Sequence, residues 1–168
     1  MGEFMTIRLS VIAIAMLAAC STSEAPPAPE APATLSNEAF QALMQPIQSS
    51  QNAFKKDSLI KADEDFTALL ARSDLTDDQR ARVFYARGFS RGNFVRDFPR
   101  AFPQCAVLDY REMERVSPDH RLIETMKENR RYQFHRFQYF PNAPADCQTE
   151  AAAYREDLVA AGERVTWP

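Results

Sequence analysis

From Asn37 onward the chain holds only three glycines, Gly88, Gly92 and Gly162, and its apolar residues recur every three or four positions. That spacing lines one face of a 3.6-residue helix and does not fit the alternation of a half-buried strand. An all-α domain of about six helices is expected. Ser36 or Asn37 can cap a first helix bearing Phe40, Leu43, Met44 and Ile47, with Pro46 expected to start, kink or interrupt it. Leu59, Ala62, Phe66, Leu69 and Leu70 form the stripe of a second helix ending near Ser73 and Asp74, and the run Asp63, Glu64, Asp65 reads as its solvated outer face. Thr76 or Asp77 caps a third, with Ala81, Phe84, Gly88 and Phe89 inward and a stop at Gly92 and Asn93. A fourth runs from about Cys105 through Ala106, Val107, Tyr110, Met113 and Val116 to the break at Ser117, Pro118 and Asp119. A fifth carries Leu122, Ile123, Met126, Phe134 and Phe137. After Pro141 and Pro144, Asp146 can cap a sixth through Ala153, Tyr154 and Leu158, stopped by Gly162.

Two segments break this pattern. Residues 93–104 carry Phe94, Phe98, Phe102, Pro99 and Pro103, too broken for one helix and too apolar for a solvated loop, so an ordered insert is expected. At the other end, Arg8 precedes an apolar run from Leu9 to Leu17, then Ala18, Ala19 and Cys20. This is the build of an export signal, and it stops short of the roughly 20 apolar residues that span a bilayer. Met5 reads as a better start for it than Met1. Leu17-Ala18-Ala19-Cys20 resembles the lipobox of bacterial lipoproteins. The resemblance implies a diacylglyceryl group on the Cys20 thiol, which becomes the mature N-terminus. Ser21 stands where an aspartate would favour the inner membrane, so the implied location is the outer membrane, facing the periplasm. Residues 21–36, with Pro26, Pro27, Pro29 and Pro32, read as a tether reaching roughly 50 Å if extended. The expected organisation is a signal over 1–19, lipidated Cys20 and tether over 20–36, and a helical domain over 37–168.

The formal net charge of −3 gives no whole-domain surface for nucleic acid or anionic membrane and leaves room for local patches, and export places the chain away from nucleic acid. With Cys20 assigned to lipid, Cys105 and Cys147 remain for an exported domain, where disulfides persist. Pairing them would stabilise the fold by about 4 kcal/mol on the chain-entropy account. Two buried thiols are the alternative, as is a metal pair, although His120 and His135 do not stand at finger-like spacing.

The helix pairs contain a partial repeat. Phe84-x2-Arg87-Gly88, then Ala106-x3-Tyr110-x2-Met113, then Pro118 resembles the tetratricopeptide pattern. Small Gly88 and Ala106 would let two helices approach closely, with Tyr110 and Phe84 filling the space beside the contact. Ala62-x3-Phe66-x2-Leu69 forms an earlier copy, with Ala53 and Phe54 on the preceding helix, but without its glycine and proline. The interval from Ala62 to Ala106 exceeds the family's 34 residues, Arg87 replaces the usual leucine, and the carboxylate-clamp positions hold Tyr85 and Phe89. The resemblance implies stacked helix hairpins interrupted by the Phe/Pro-rich insert; an irregular helical bundle is the alternative.

No phosphate loop, nucleophile elbow or zinc-protease helix occurs, so no enzyme, cofactor or metal is expected. Arg80, Arg82, Arg87, Arg91, Arg96 and Arg100 are opposed locally only by Asp97. Arg80, Arg87 and Arg91 share a helical face that could meet an acidic partner or pair with Asp77 or Glu114. In Arg130–Phe140, bases alternate with aromatics: Phe134 and Phe137 suit the core, leaving Arg131, Tyr139 and Phe140 as candidate contacts. The resulting expectation is a lipid-anchored, periplasm-facing adaptor that binds another envelope protein. The other expectation is a structural or regulatory lipoprotein that binds envelope polymer or inhibits an enzyme.

Overall fold

The computed structural model describes residues 33–93 and 100–167. Cys20, residues 1–19, the tether up to Pro32, and the insert residues Phe94, Arg96, Asp97, Phe98 and Pro99 lie outside the described residues. Within them the chain is all-α: α1 (Asn37–Asn52), α2 (Lys56–Leu70), α3 (Asp77–Gly92), α4 (Pro103–Val116), α5 (Ile123–Arg136), a 3-10 turn (Phe137–Tyr139) and α6 (Ala145–Ala160), with no strand. None of these helices is long and apolar enough to cross a membrane.

Ser36 caps α1, its hydroxyl accepting the Ala39 amide at 3.2 Å. Pro46 sits inside α1 without ending it. An interior proline costs about 3 kcal/mol, whereas each fully buried Phe, Met or Ile contributes about 1.5–3 kcal/mol, and Phe40, Met44 and Ile47 lie on one buried face. Gln51 on that face donates to the Ala86 carbonyl at 2.9 Å and Ser90 Oγ at 2.7 Å, tying α1 to α3. Ala53 and Phe54 are not helical, as the first repeat copy would require. Ala53 is the C-cap, and Phe54, exposed with φ 49°, makes the left-handed turn into α2.

Thr76 and Gln79 close a capping box on α3, and the Gln79 amide reaches back to the Leu35 carbonyl at 3.0 Å. The α4 helix begins two residues before the expected Cys105, because Pro103 fits a first helical position whose N–H has no helical partner. Asp146 does not cap α6. Pro144 holds that position and Asp146 stands in the first turn, where the Cys147 amide and then Arg100 hold its carboxyl below the usual range.

Each of α1 to α4 packs on its successor, and α6 returns to α4. The tightest approach is α3 on α4, as the small residues suggested. A Cβ on Gly88 would stand 2.7 Å from Tyr110 Cε1 and 3.1 Å from the Ala106 carbonyl. Ala81, Tyr110, Met113 and Met126 bury around this contact with Phe84 packed at its edge. Phe89 does not face inward. One position beyond Gly88, it points off the contact and is 38% exposed. Phe40, Met44, Phe66 and Val83 form the core of the first half, and Val107, Phe134, Tyr154, Leu158 and Val165 that of the second. Cys105 and Cys147, in the first turns of α4 and α6, bring their Sγ atoms to 2.14 Å, within bonding distance.

His120 is buried at the entry to α5, its Nδ1 accepting the Leu122 amide at 3.1 Å and its Nε2 lying 3.3 Å from Asp78. Burial holds its pKa below the ordinary 6.5, opposed by Asp78 and assisted by Arg121 and Arg82.

Two outcomes are expected. Gly88→Ala should cost about 1–3 kcal/mol in urea unfolding, because overpacking against Tyr110 outweighs the helix-propensity gain of roughly 1 kcal/mol. For His120, the unfolded chain takes up the proton first, so the stability it contributes is full above pH 6.5 and is lost as pH falls from there toward the depressed folded value. Urea midpoints should drop between about pH 7.5 and about pH 5.5, and His120→Asn should shrink that drop.

Candidate functional site

The arginine face of α3 turns inward. Arg87 and Arg91 are one helical turn apart, between Asp63 of α2 and Asp109 of α4. Arg91 grips Asp63 through two N–H bonds, at 2.6 and 3.1 Å, and reaches Asp109 at 3.2 Å. Arg87 donates to Asp109 at 2.6 Å and to Thr67 Oγ1 at 3.0 Å. The Arg91 side chain is 9% exposed and that of Asp109 3%. Burial pulls the Arg91 pKa down, but Asp109 and Asp63 outweigh it and hold it above its ordinary value. Burial pushes the Asp109 carboxyl up against the pull of Arg91 and Arg87.

Arg80 stands apart from this pair. It donates to the Leu70 and Arg72 carbonyls at 2.8 and 2.9 Å, a cation closing the C-terminal end of α2. Thus Arg80, Arg87 and Arg91 do not form one open face, and Asp77 and Glu114 are not their partners. Asp63 likewise leaves the solvated run to which its neighbours belong, while Asp65 pairs with Lys61 at 2.9 Å on the outside. Helical spacing carried the signal: Asp63 lies four residues after Leu59 and three before Phe66, and Asp109 four before Met113, so both are on apolar stripes.

The aromatic and basic residues of α5 are sorted differently. Arg130 is wholly buried, bonded to Glu114 at 2.7 Å and Tyr154 at 2.5 Å, with Glu163 at 2.5 Å. Burial works against its charge, and Tyr154, Glu114 and Glu163 prevail and raise its pKa. Phe134 joins the core, and Phe137 packs edge-on against it at 5.2 Å. Arg131 turns to Glu128 on its own helix and is mostly covered. Tyr139 is 64% exposed, edge-on to His135 at 6.0 Å. Phe140 is half-buried under the Arg136 guanidinium, 4.9 Å from its ring centre, and Arg136 also lies 5.5 Å from the Tyr132 ring. Tyr132 is edge-on to Trp167 at 5.2 Å.

The result is one continuous aromatic and basic surface, built from Tyr132, His135, Arg136, Tyr139, Phe140 and Trp167. It borders a cleft of about 370 Å³ between α5, α6 and the last residues, lined by His135, Phe137, Gln138, Arg155, Val165 and Trp167. Sequence reasoning found Tyr139 and Phe140 but missed Arg155, which α6 presents beside the cleft, and Trp167, whose segment Glu163 holds on Arg130. A second groove, of about 240 Å³, runs between α1 and α3 and is lined by Met44, Gln51, Arg82, Tyr85, Phe89 and Arg121. No group of three or more His, Cys, Asp or Glu among the described residues could hold a metal ion. No family profile, characterised protein or solved structure matches the chain.

Since Arg91 holds two buried carboxylates, Arg91→Met should destabilise the domain by about 3–5 kcal/mol in urea unfolding. The outer pair is the contrast: Lys61→Ala should change stability by less than about 1 kcal/mol.

Proposed function

We propose that this protein is a lipid-anchored adaptor of the bacterial outer membrane, facing the periplasm, that binds another envelope protein. The export signal and lipobox-like Cys20 support the anchor, and the tetratricopeptide-like spacing of Gly88, Ala106 and Tyr110 supports the class of domain. In the oxidising periplasm Cys105 and Cys147 form a disulfide that holds α6 on α4. The observation that carries the reading is the exposed cluster of Tyr132 (42%), Tyr139 (64%) and Trp167 (41%) beside Arg136 and His135. Aromatic residues and arginine are the types most enriched in protein interfaces and their hot spots. No metal, cofactor, nucleic acid or catalysis enters this reading. A structural or regulatory lipoprotein would meet envelope polymer, or an enzyme to be inhibited, through the same surface.

The test is site-specific photocrosslinking in intact bacterial cells with the full chain. A photoreactive residue at Tyr132, Tyr139 or Trp167 should capture one and the same envelope protein, and one at Lys61 should not. Cys20→Ala should release the chain from the detergent-extracted membrane fraction and weaken that adduct. Adducts to no protein, or equal adducts from Lys61, would overturn the adaptor; adducts to polymer alone would favour the alternative.

A further inference from the structure

We infer that the cleft between α5, α6 and the C-terminal segment receives an acidic segment of the partner protein. A carboxylate would sit against Arg155 and an adjacent apolar side chain against Phe137, Val165 and Trp167. The inference rests on the adaptor reading and names the chemistry of its partner.

Charge is the first ground. Among the described residues Arg155 makes no hydrogen bond or ion pair, although it lines the cleft. Most other arginines of this half of the domain are engaged: Arg111 with Glu150 at 2.9 Å, Arg115 with Glu112 at 2.7 Å, Arg130 with Glu114 and Glu163, and Arg131 with Glu128. Arg164, exposed beside cleft-lining Val165, adds a second cation unpaired among the described residues. Among the described residues the cleft lining includes no carboxylate that could neutralise Arg155. In a chain of net charge −3, this is a local attraction for an anion rather than a general one.

Shape and surface chemistry narrow the anion. The volume, about 370 Å³, falls in the roughly 300–1,000 Å³ of ligand sites. Phe134, Phe137 and Val165 supply the apolar part of its lining beside polar His135, Gln138 and Thr166, and one wall is the Trp167 ring braced edge-on by Tyr132. Gln138 and Thr166 add an amide and a hydroxyl able to meet main-chain groups of an extended segment. An acidic sugar brings a carboxylate ringed by hydroxyls, and those turned to Phe137 and Val165 would lose water without replacement hydrogen bonds. An acidic residue next to a Leu or Phe meets both demands. The wall needs no rearrangement, because Glu163 on buried Arg130 already holds the segment that carries Trp167.

Trp167 is the chain's sole tryptophan, so its fluorescence reads the cleft directly. The probes are a short peptide of Asp and Glu around a central Leu-Phe, its lysine-for-acid counterpart, and oligogalacturonate, each titrated into the full chain. The acidic peptide should change Trp167 emission saturably, and rising NaCl should weaken it. Arg155→Gln, an exposed change that should leave the melting curve in place, should weaken it at least about tenfold. Oligogalacturonate and the lysine peptide should give no saturable change. The inference is overturned by no saturable response to the acidic peptide, an equal response to the lysine peptide, or a response to oligogalacturonate alone. It is equally overturned if Arg155→Gln leaves binding unchanged, or if Arg121→Gln abolishes it and so assigns binding to the α1–α3 groove. Crosslinks from Tyr139 that persist beside a silent cleft would remove the acidic segment and leave the adaptor standing; loss of the crosslinks would remove the adaptor itself.

Discussion

The buried guanidinium of Arg91 is the interaction on which the first half of the domain depends. Removing an ion from water costs several kcal/mol, and the cost is offset only when geometry and hydrogen bonding are close to ideal. Asp63 and Asp109 supply that geometry from two different helices. A slide of α2 along α3 by a single turn would take Asp63 from Arg91, and a slide of α4 would take Asp109 from its arginines, each leaving a buried charge short of a partner, so the arrangement selects register more than it adds stability. Gly88, one turn before Gly92 on α3, admits Tyr110 against the backbone in the same register. Charge and shape thus demand the same alignment of α3 and α4 from opposite sides of the contact.

The second half is held by a different set of constraints. Cys105 and Cys147 join the first turns of α4 and α6, while Arg130 gathers Glu114 of α4, Tyr154 of α6 and Glu163 beyond α6 around one cation. Burial also pushes the Tyr154 hydroxyl up, so it stays protonated, able both to accept from Arg130 and to donate to Glu114 at 3.1 Å. The C-terminal segment has no helix of its own to hold it. Glu163 on Arg130 and Val165 in the core give Trp167 its place.

Much of this was legible from spacing. The apolar stripes at Phe40, Met44 and Ile47, at Leu59, Ala62 and Phe66, and at Tyr110 and Met113 set the helices, because burial of one face is what makes a helix of this length persist. The Gly88–Ala106 approach was legible for the same reason. Pro46 neither starts nor ends α1, because a proline's local cost is small beside the buried face of the helix that holds it. Phe54 misled because nothing in its identity announces a left-handed turn. Asp63 and Arg91 were misread because a charge is taken as solvated by default. What mattered was the apolar register each occupies, and the presence of an opposite charge at the matching register of the neighbouring helix.

That criterion also separates the arginines by what they can do. Arg87 and Arg91 were the densest basic signal on one face, yet their charges are held by Asp109 and Asp63 and could meet a ligand only by breaking those bonds. Arg155, unremarkable in sequence between Tyr154 and Glu156, has no such claim on it. A helix that buries Tyr154 and Leu158 must turn the intervening residue toward the side, and the C-terminal segment folded over α5 makes that side a cleft. Density of charge along a chain therefore says little about recognition. The cations free to recognise are those whose neighbouring helix offers no carboxylate at contact register, and that is a property of pairs of helices that no single stretch of sequence contains.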